Sequence, residues 1–120
     1  MNLQALPEEA LKEILALTEA KKNLELREEA QEHFMPFAHH VYENFIEGRH
    51  HRVIAEKLEA VARGELKRLI INMPPRHSKY EFASYLMPAW FLGRNPTLKI
   101  IQATHNTELA ARFGRKVRVL

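Results

Sequence analysis

The chain has 120 residues, of which 46% are hydrophobic and 28% are charged, and its 18 basic and 15 acidic residues leave a net charge of +3. This length and balance are typical of one globular domain with a single core. The lack of cysteine excludes a disulfide framework and thiolate metal sites. The modest basicity permits a phosphate-bearing partner without requiring one.

No run approaches the roughly 20 apolar residues that span a bilayer, so we expect no membrane segment. The start of the chain, Met1–Glu9, lacks the basic and then apolar pattern of a secretory signal. A reducing compartment fits the lack of cysteine.

Residues 1–66 are predicted to be helical. Pro7 followed by two acids is a typical helix start, and we expect that helix to end at the basic run 21–23. A second helix is expected from about Leu26 to Phe34, where Pro36 breaks it or opens a new one. Gly48 is a predicted stop. Apolar residues then recur at helical spacing before Gly64 ends the helix: Ile54, Leu58, Val61 and Ala62.

Two short aliphatic segments, 68–73 and 98–103, have the pattern of buried parallel strands. A helix over Lys79–Leu92 separates them, and another begins after residues 104–107. Strand, helix and strand at this spacing predict a right-handed crossover. The expected fold class is therefore α/β, with the start of a three-layer core over 67–120, preceded by the helical region 1–66.

Two strands alone do not make a stable sheet, and Val119 and Leu120 carry no helix stop signal. We therefore expect the sheet to continue in residues beyond this chain. The alternative is that the helices of the first half cover enough of the sheet for it to stand alone.

The loop between the first predicted strand and its helix, 73–80, aligns with the phosphate-loop pattern G-x-x-x-x-G-K-[ST]. In such loops backbone amides and a helix amino end bind phosphate, and the lysine neutralises its charge. Lys79 matches the pattern, whereas Met73 and Ser78 replace the glycines and Tyr80 replaces the hydroxyl residue. On the pattern alone, a simple Pro74-Pro75 turn carrying solvated charges is favoured over phosphate binding.

The run from Leu69 to Lys79, Leu-Ile-Ile-Asn-Met-Pro-Pro-Arg-His-Ser-Lys, resembles the variant phosphate loop of phage terminase large subunits. The resemblance covers about residue 25 onward. Further segments that are similar to that family are 45–51, 64–68, 82–86, 88–90, 103–105 and 112–118.

This resemblance implies an incomplete P-loop NTPase-like domain and an ATPase that pumps double-stranded DNA into a capsid, with a separate nuclease domain. It implies ATP and Mg²⁺ as cofactors. The implied partners are double-stranded DNA, the small terminase subunit, the portal protein and further copies of the motor, with no membrane. The implied location is the bacterial cytoplasm and, transiently, the procapsid.

Carried over by position, the resemblance assigns the ammonium of Lys79 to the β- and γ-phosphates. It assigns a γ-phosphate contact to Arg76, the candidate catalytic residue. The full set of implied nucleotide contacts is Pro75, Arg76, His77, Ser78, Lys79 and Tyr80.

Tyr80 departs from the family, because a tyrosine hydroxyl lies across a ring and cannot take the place of a serine hydroxyl on magnesium. The only acids after Lys79 are Glu81 and Glu108, and neither follows an aliphatic strand as an acidic pair. We therefore expect no efficient ATP turnover by this chain, and whether it is an enzyme stays open. A catalytically inactive prophage remnant or interaction fragment is the alternative, and a helicase-like ATPase is a third.

Seven histidines are present, but none forms the helical His-Glu-x-x-His pattern of a metal site, and we predict ordinary surface or helix-cap histidines. The segment 45–51 is a hypothetical adenine contact, or a helix start that packs Phe45. Phe82, Trp90 and Phe91 are predicted core residues rather than base-stacking residues. A solvated helix face is favoured over DNA contact for four basic residues: Arg112, Arg115, Lys116 and Arg118.

Overall fold

The computed structural model describes residues 7–120, and every regular element in that range is helical. No residue from 7 to 120 lies in a β-strand, so the predicted α/β fold with two parallel strands is wrong. The elements in chain order are α1 (Glu8–Glu32), α2 (Phe34–Val41), α3 (Arg49–Ala62), a π-helical segment (Glu81–Leu86) that runs directly into α4 (Met87–Arg94), and α5 (Thr107–Val119).

The two segments predicted as strands have no regular secondary structure and form no ladder with each other. Within 7–120, no backbone–backbone hydrogen bond joins 68–73 to 98–103. Ile70 is 85% exposed and Ile101 is 96% exposed. A buried parallel strand needs a hydrogen-bonded neighbour and cover on both faces. The aliphatic pattern predicted that cover, but Ile70 and Ile101 face water, while Leu69, Ile71 and Met73 pack against the helical core. The three-layer P-loop-like core is not formed by the described residues.

Helix α1 is one helix of 25 residues where two were predicted. The basic run 21–23 does not end it, because residues 8–32 contain neither glycine nor proline and exposed lysine is compatible with a helix interior. The helix ends at His33, whose backbone is extended. Ala30 is the only buried residue of α1, so most of its length contacts solvent.

Helix α2 begins at Phe34 with help from α3. The backbone N–H of Phe34 donates to Oε1 of Glu59 at 2.8 Å, so a carboxylate caps the positive end of α2. Pro36 lies in the first turn of α2, where its missing N–H leaves no helical hydrogen bond unmade. The start of α2 is therefore fixed by a side chain that is 25 residues away in sequence.

The π-helical segment lies just before Pro88, and this proline accounts for the change in the helical hydrogen bonds. Proline has no N–H to donate to the carbonyl of Ser84, four residues earlier. The side-chain amide of Gln102 donates to that carbonyl at 2.7 Å instead. The backbone N–H of Met87 donates to the carbonyl of Phe82, the i→i−5 bond of a π-helix. Segment 98–103 is thus held to the helix by a side chain rather than by a strand ladder.

The core forms around Phe34, which is fully buried. Its ring makes edge-to-face contacts with Phe82 at 5.3 Å and with Trp90 at 5.6 Å between centroids. The indole Nε1–H of Trp90 donates to the carbonyl of Ala30 at 3.1 Å, so its polar atom is satisfied inside the core. The core therefore joins α1, α2, the π-helical segment and α4, and the predicted core positions Phe82 and Trp90 are confirmed.

Candidate functional site

The loop 73–80 lies between the extended segment 68–73 and the π-helical segment, with Pro74–His77 exposed. Arg76 and Ser78 adopt left-handed backbone angles, with φ of 67° and 60°. L residues rarely adopt such angles, because Cβ approaches the following carbonyl, at a cost of about 1–2 kcal/mol. Ser78 occupies the position where the phosphate-loop pattern has its second glycine, so the chain bends there as that pattern requires.

Lys79 closes the loop. Its Nζ donates to the carbonyl of Met73 at 3.0 Å, and this hydrogen bond links Lys79, near the end of the loop, to the first residue of the loop. The ammonium also lies 5.0 Å from the centre of the Tyr80 ring. In residues 7–120 no ion pair involves Lys79. Its charge is therefore not neutralised by a described carboxylate.

Arg76 and His77 form the exposed tip of the loop. No described acid lies within ion-pair distance of Arg76. The Nδ1 of His77 donates to the carbonyl of Pro75 at 3.0 Å, which fixes the turn at the tip. Two cations, Arg76 and Lys79, are thus placed three positions apart on one short bend, an arrangement that favours anions.

The start of α3 faces this loop through histidines. The ring of His50 lies 6.0 Å from that of His77 and 3.8 Å from that of His51. His51 is buried, and its Nδ1 accepts from the backbone N–H of Gly48 at 2.9 Å. Gly48, predicted as a helix stop, is instead the residue that precedes α3. His51 is a helix-cap histidine, which confirms the prediction of an ordinary role for it.

The tautomer of His51 follows from that bond. Because Nδ1 accepts, the proton resides on Nε2, and Nε2 is buried with no partner in residues 7–120. Burial lowers the pKa of His51, and the charges of His50 and His77 lower it further, whereas Glu47 raises it. His51 is therefore a neutral group packed beside Phe45 and Phe82.

A cavity of about 620 Å³ opens beside the loop, between the first two turns of α3 and segment 69–73. Its walls are mainly apolar, with Val53 and Ile54 on one side and Leu69 and Ile71 on the other. This volume is in the usual range for small-ligand sites. The hypothetical adenine segment 45–51 reaches this cavity through Arg49 and His50, while Phe45 packs against Phe82.

The donor set suits a phosphate chain but not magnesium. Lys79, Arg76 and the bent backbone at Ser78 are donors for phosphate oxygens. Tyr80, at the hydroxyl position, instead places its ring nearly parallel to that of Phe113, 20° apart with centroids at 6.5 Å. No group of three or more metal-binding side chains is assembled among residues 7–120. The described residues therefore do not fit Mg²⁺.

Local sequence had no signal for two of these features. The contact of His50 with His77 joins residues 27 positions apart, and the return of Lys79 to Met73 depends on the left-handed bends. Pro75 and Ser78, both predicted contacts, take part through backbone shape, since the carbonyl of Pro75 fixes His77.

Comparisons with protein families, with curated proteins and with solved structures each found no match to this chain. Among residues 7–120, no helix combines the length and apolar character that crossing a bilayer needs.

Proposed function

We propose that the loop 73–80 binds the phosphate tail of ATP, and that the chain is the nucleotide-binding part of a phage terminase large subunit, the motor that packages double-stranded DNA. The observation that carries phosphate binding is the left-handed bend at Ser78 beside the ammonium of Lys79, which forms no ion pair with an acid among residues 7–120. The proposal that the chain is part of a terminase large subunit rests on the resemblance of residues 69–79 to the phosphate loop of that family.

Three features of the described residues support phosphate binding. Arg76 and Lys79 supply two cations that no described acid neutralises. The positive φ at Arg76 and Ser78 bends the backbone of the exposed loop sharply. The first helical turn follows directly at Lys79, and a helix amino end favours anions.

The proposed binding does not depend on a β-sheet, which residues 7–120 do not form. Lys79 takes its position from the carbonyl of Met73 and from the helical turn that begins at residue 79. Binding of a triphosphate replaces the carbonyl by phosphate oxygens as the acceptor for Nζ. A charge-assisted hydrogen bond to phosphate contributes more than the neutral bond to a carbonyl, which favours that exchange.

The same residues support binding without efficient hydrolysis. Tyr80 directs a ring toward Phe113 at the position where magnesium would be held. After Lys79 the sequence offers only Glu81 and Glu108 as acids. We therefore propose that this chain binds ATP with little dependence on Mg²⁺. Its partners in the motor are double-stranded DNA, the small subunit and the portal protein.

A titration with a fluorescent ATP analogue, with and without Mg²⁺, tests this function. We expect saturable binding that inorganic triphosphate competes, because the phosphate tail makes the contacts. Lys79→Ala should weaken binding by about 10- to 100-fold, the loss of one charge-assisted hydrogen bond.

Lys67→Ala is the matched control, because Lys67 is an exposed lysine outside the loop and should leave binding unchanged. The helical content of each variant is checked by circular dichroism. Folded wild-type protein that shows no binding at millimolar analogue would overturn the proposal.

A further inference from the structure

A second cleft lies between the π-helical segment and α5, on residues that the proposed function does not use except for Tyr80. We name it the aromatic cleft. Its volume is about 320 Å³, and it is lined by Tyr80, Glu81, Tyr85, Leu109, Arg112, Phe113 and Lys116. We propose that the aromatic cleft binds one unpaired base of a single-stranded nucleic acid, with flanking phosphates on Arg112 and Lys116.

The aromatic wall is presented to solvent in a fixed orientation. Phe113 is buried, and the Tyr80 ring lies 20° from parallel to it. Tyr80 itself is 51% exposed, so part of its ring is accessible to a ligand. An exposed aromatic ring held by a buried neighbour is a stacking platform, because every base presents a π-face to it.

Cations border the same cleft. Arg112 and Lys116 are four residues apart on α5 and therefore lie on one side of the helix. No ion pair within residues 7–120 joins either one to an acid. The ammonium of Lys116 lies 4.4 Å from the centre of the Tyr85 ring, so it is held at the cleft by a cation–π contact.

The charge of α5 as a whole favours a polyanion. Glu108 is its single acid, and it lies in the first turn, whereas the remainder carries Arg112, Arg115, Lys116 and Arg118. Arg115 and Arg118 are exposed and extend the positive surface beyond the cleft. The single acid lining the cleft, Glu81, does not neutralise both of its cations.

The size of the cleft distinguishes a single strand from a duplex. A volume of about 320 Å³ is at the lower end of small-ligand sites, enough for one base and its sugar. A base in a duplex is already stacked on both faces and cannot lie on Tyr80 unless it is extruded. The proposal therefore concerns unpaired strands, and it goes beyond ATP binding at the loop.

Fluorescence anisotropy with a labelled 12-nucleotide oligothymidylate tests the assignment. We expect Tyr80→Ala to weaken binding about fivefold or more, the effect of losing one stacked base, and Tyr80→Phe to keep it. The double variant Arg112→Gln, Lys116→Gln should lower the slope of log affinity against log salt by about 1.4, because each phosphate contact contributes about 0.7. The double variant Lys21→Gln, Lys22→Gln, on the exposed length of α1, is the matched charge control and should change neither quantity.

Three results would overturn the assignment: Tyr80→Ala that binds the oligonucleotide like the wild type, a 12-base-pair duplex that competes as well as the single strand, or thymidine monophosphate that competes as well as the oligonucleotide. Circular dichroism confirms that each variant is folded. Lys79→Ala that loses ATP binding and keeps oligonucleotide binding supports two separate sites.

Discussion

Single residues set the chemistry of this molecule, and His51 has the clearest pH dependence. Its neutral ring accepts from Gly48 and is buried beside Phe45 and Phe82. The charged groups facing it are His50, His77 and Glu47. Protonation at Nδ1 removes the acceptor that caps α3 and places a charge in the core, so the folded state resists it.

We expect the free energy of unfolding to fall as the pH decreases below about 6.5. The pKa of His51 is lowered in the folded state, so below its unfolded value the unfolded chain binds the proton that the folded chain excludes. The neutral His51 ring therefore contributes to stability above its unfolded-state pKa, and this contribution is lost as the pH falls below that value. Urea unfolding at pH 7.5 and pH 5.0 measures this difference.

His51→Asn is the matched variant for that measurement, because its side-chain carbonyl can still accept from Gly48 but does not titrate. The variant should show a smaller change in stability between the two pH values. An equal change in both proteins would mean that other groups cause the acid sensitivity.

At the scale of elements, apolar spacing predicted helices well and strands poorly. Helix α3 has the predicted positions Ile54 and Leu58 buried, and Gly64, with φ of 78°, follows its end as expected. A helix makes its hydrogen bonds within itself, so its local pattern suffices. A strand is completed by a neighbour that may be anywhere in the chain, and the local run 68–73 carries no information on whether that neighbour exists.

Two further features of the helices could not be predicted from local sequence, because each depends on a residue that is distant along the chain. The cap on α2 comes from Glu59, and the π-helical segment is completed by Gln102. Of the candidate site, the position of Lys79 after an extended segment was predictable, since the motif fixes it. The packing of Tyr80 on Phe113 joins residues 33 positions apart, and no motif predicts it.

Replacing Glu59 tests the cap between helices. Glu59→Ala removes the acceptor of the Phe34 N–H and should lower the free energy of unfolding by about 1–2 kcal/mol. Glu59→Gln keeps a carbonyl acceptor and should cost less. Thermal denaturation followed at 222 nm measures both variants.

Glu56→Ala, three residues earlier on α3 and exposed, is the control and should change stability by less than about 0.5 kcal/mol. Equal losses for Glu56→Ala and Glu59→Ala would contradict a specific cap.

At the scale of the whole molecule, one aromatic cluster joins the helices. Phe34 contacts Phe82 and Trp90, so α2, the π-helical segment and α4 share the same buried ring. The predicted boundary at 66/67 therefore falls between residues that contribute to one core.

Phe34→Ala should cost about 3–5 kcal/mol, because it leaves a cavity in that core. Leu15→Ala, at a position 62% exposed on α1, should cost almost nothing. Urea titration gives both values, and a single cooperative transition in the wild type is expected. Similar urea midpoints for Phe34→Ala and Leu15→Ala would mean that packing around Phe34 does not determine the stability of the fold.

The long, solvated first helix has a practical consequence. The molecule measures 64 × 28 × 28 Å, and the side chains of α1 are exposed over most of its 25 residues. Lys12 is exposed and lines neither the cavity beside the loop nor the aromatic cleft, so a dye or tether can be attached there without replacing a residue of either. That position lets the protein be immobilised or labelled for binding measurements while its folding and its ligand contacts stay untouched.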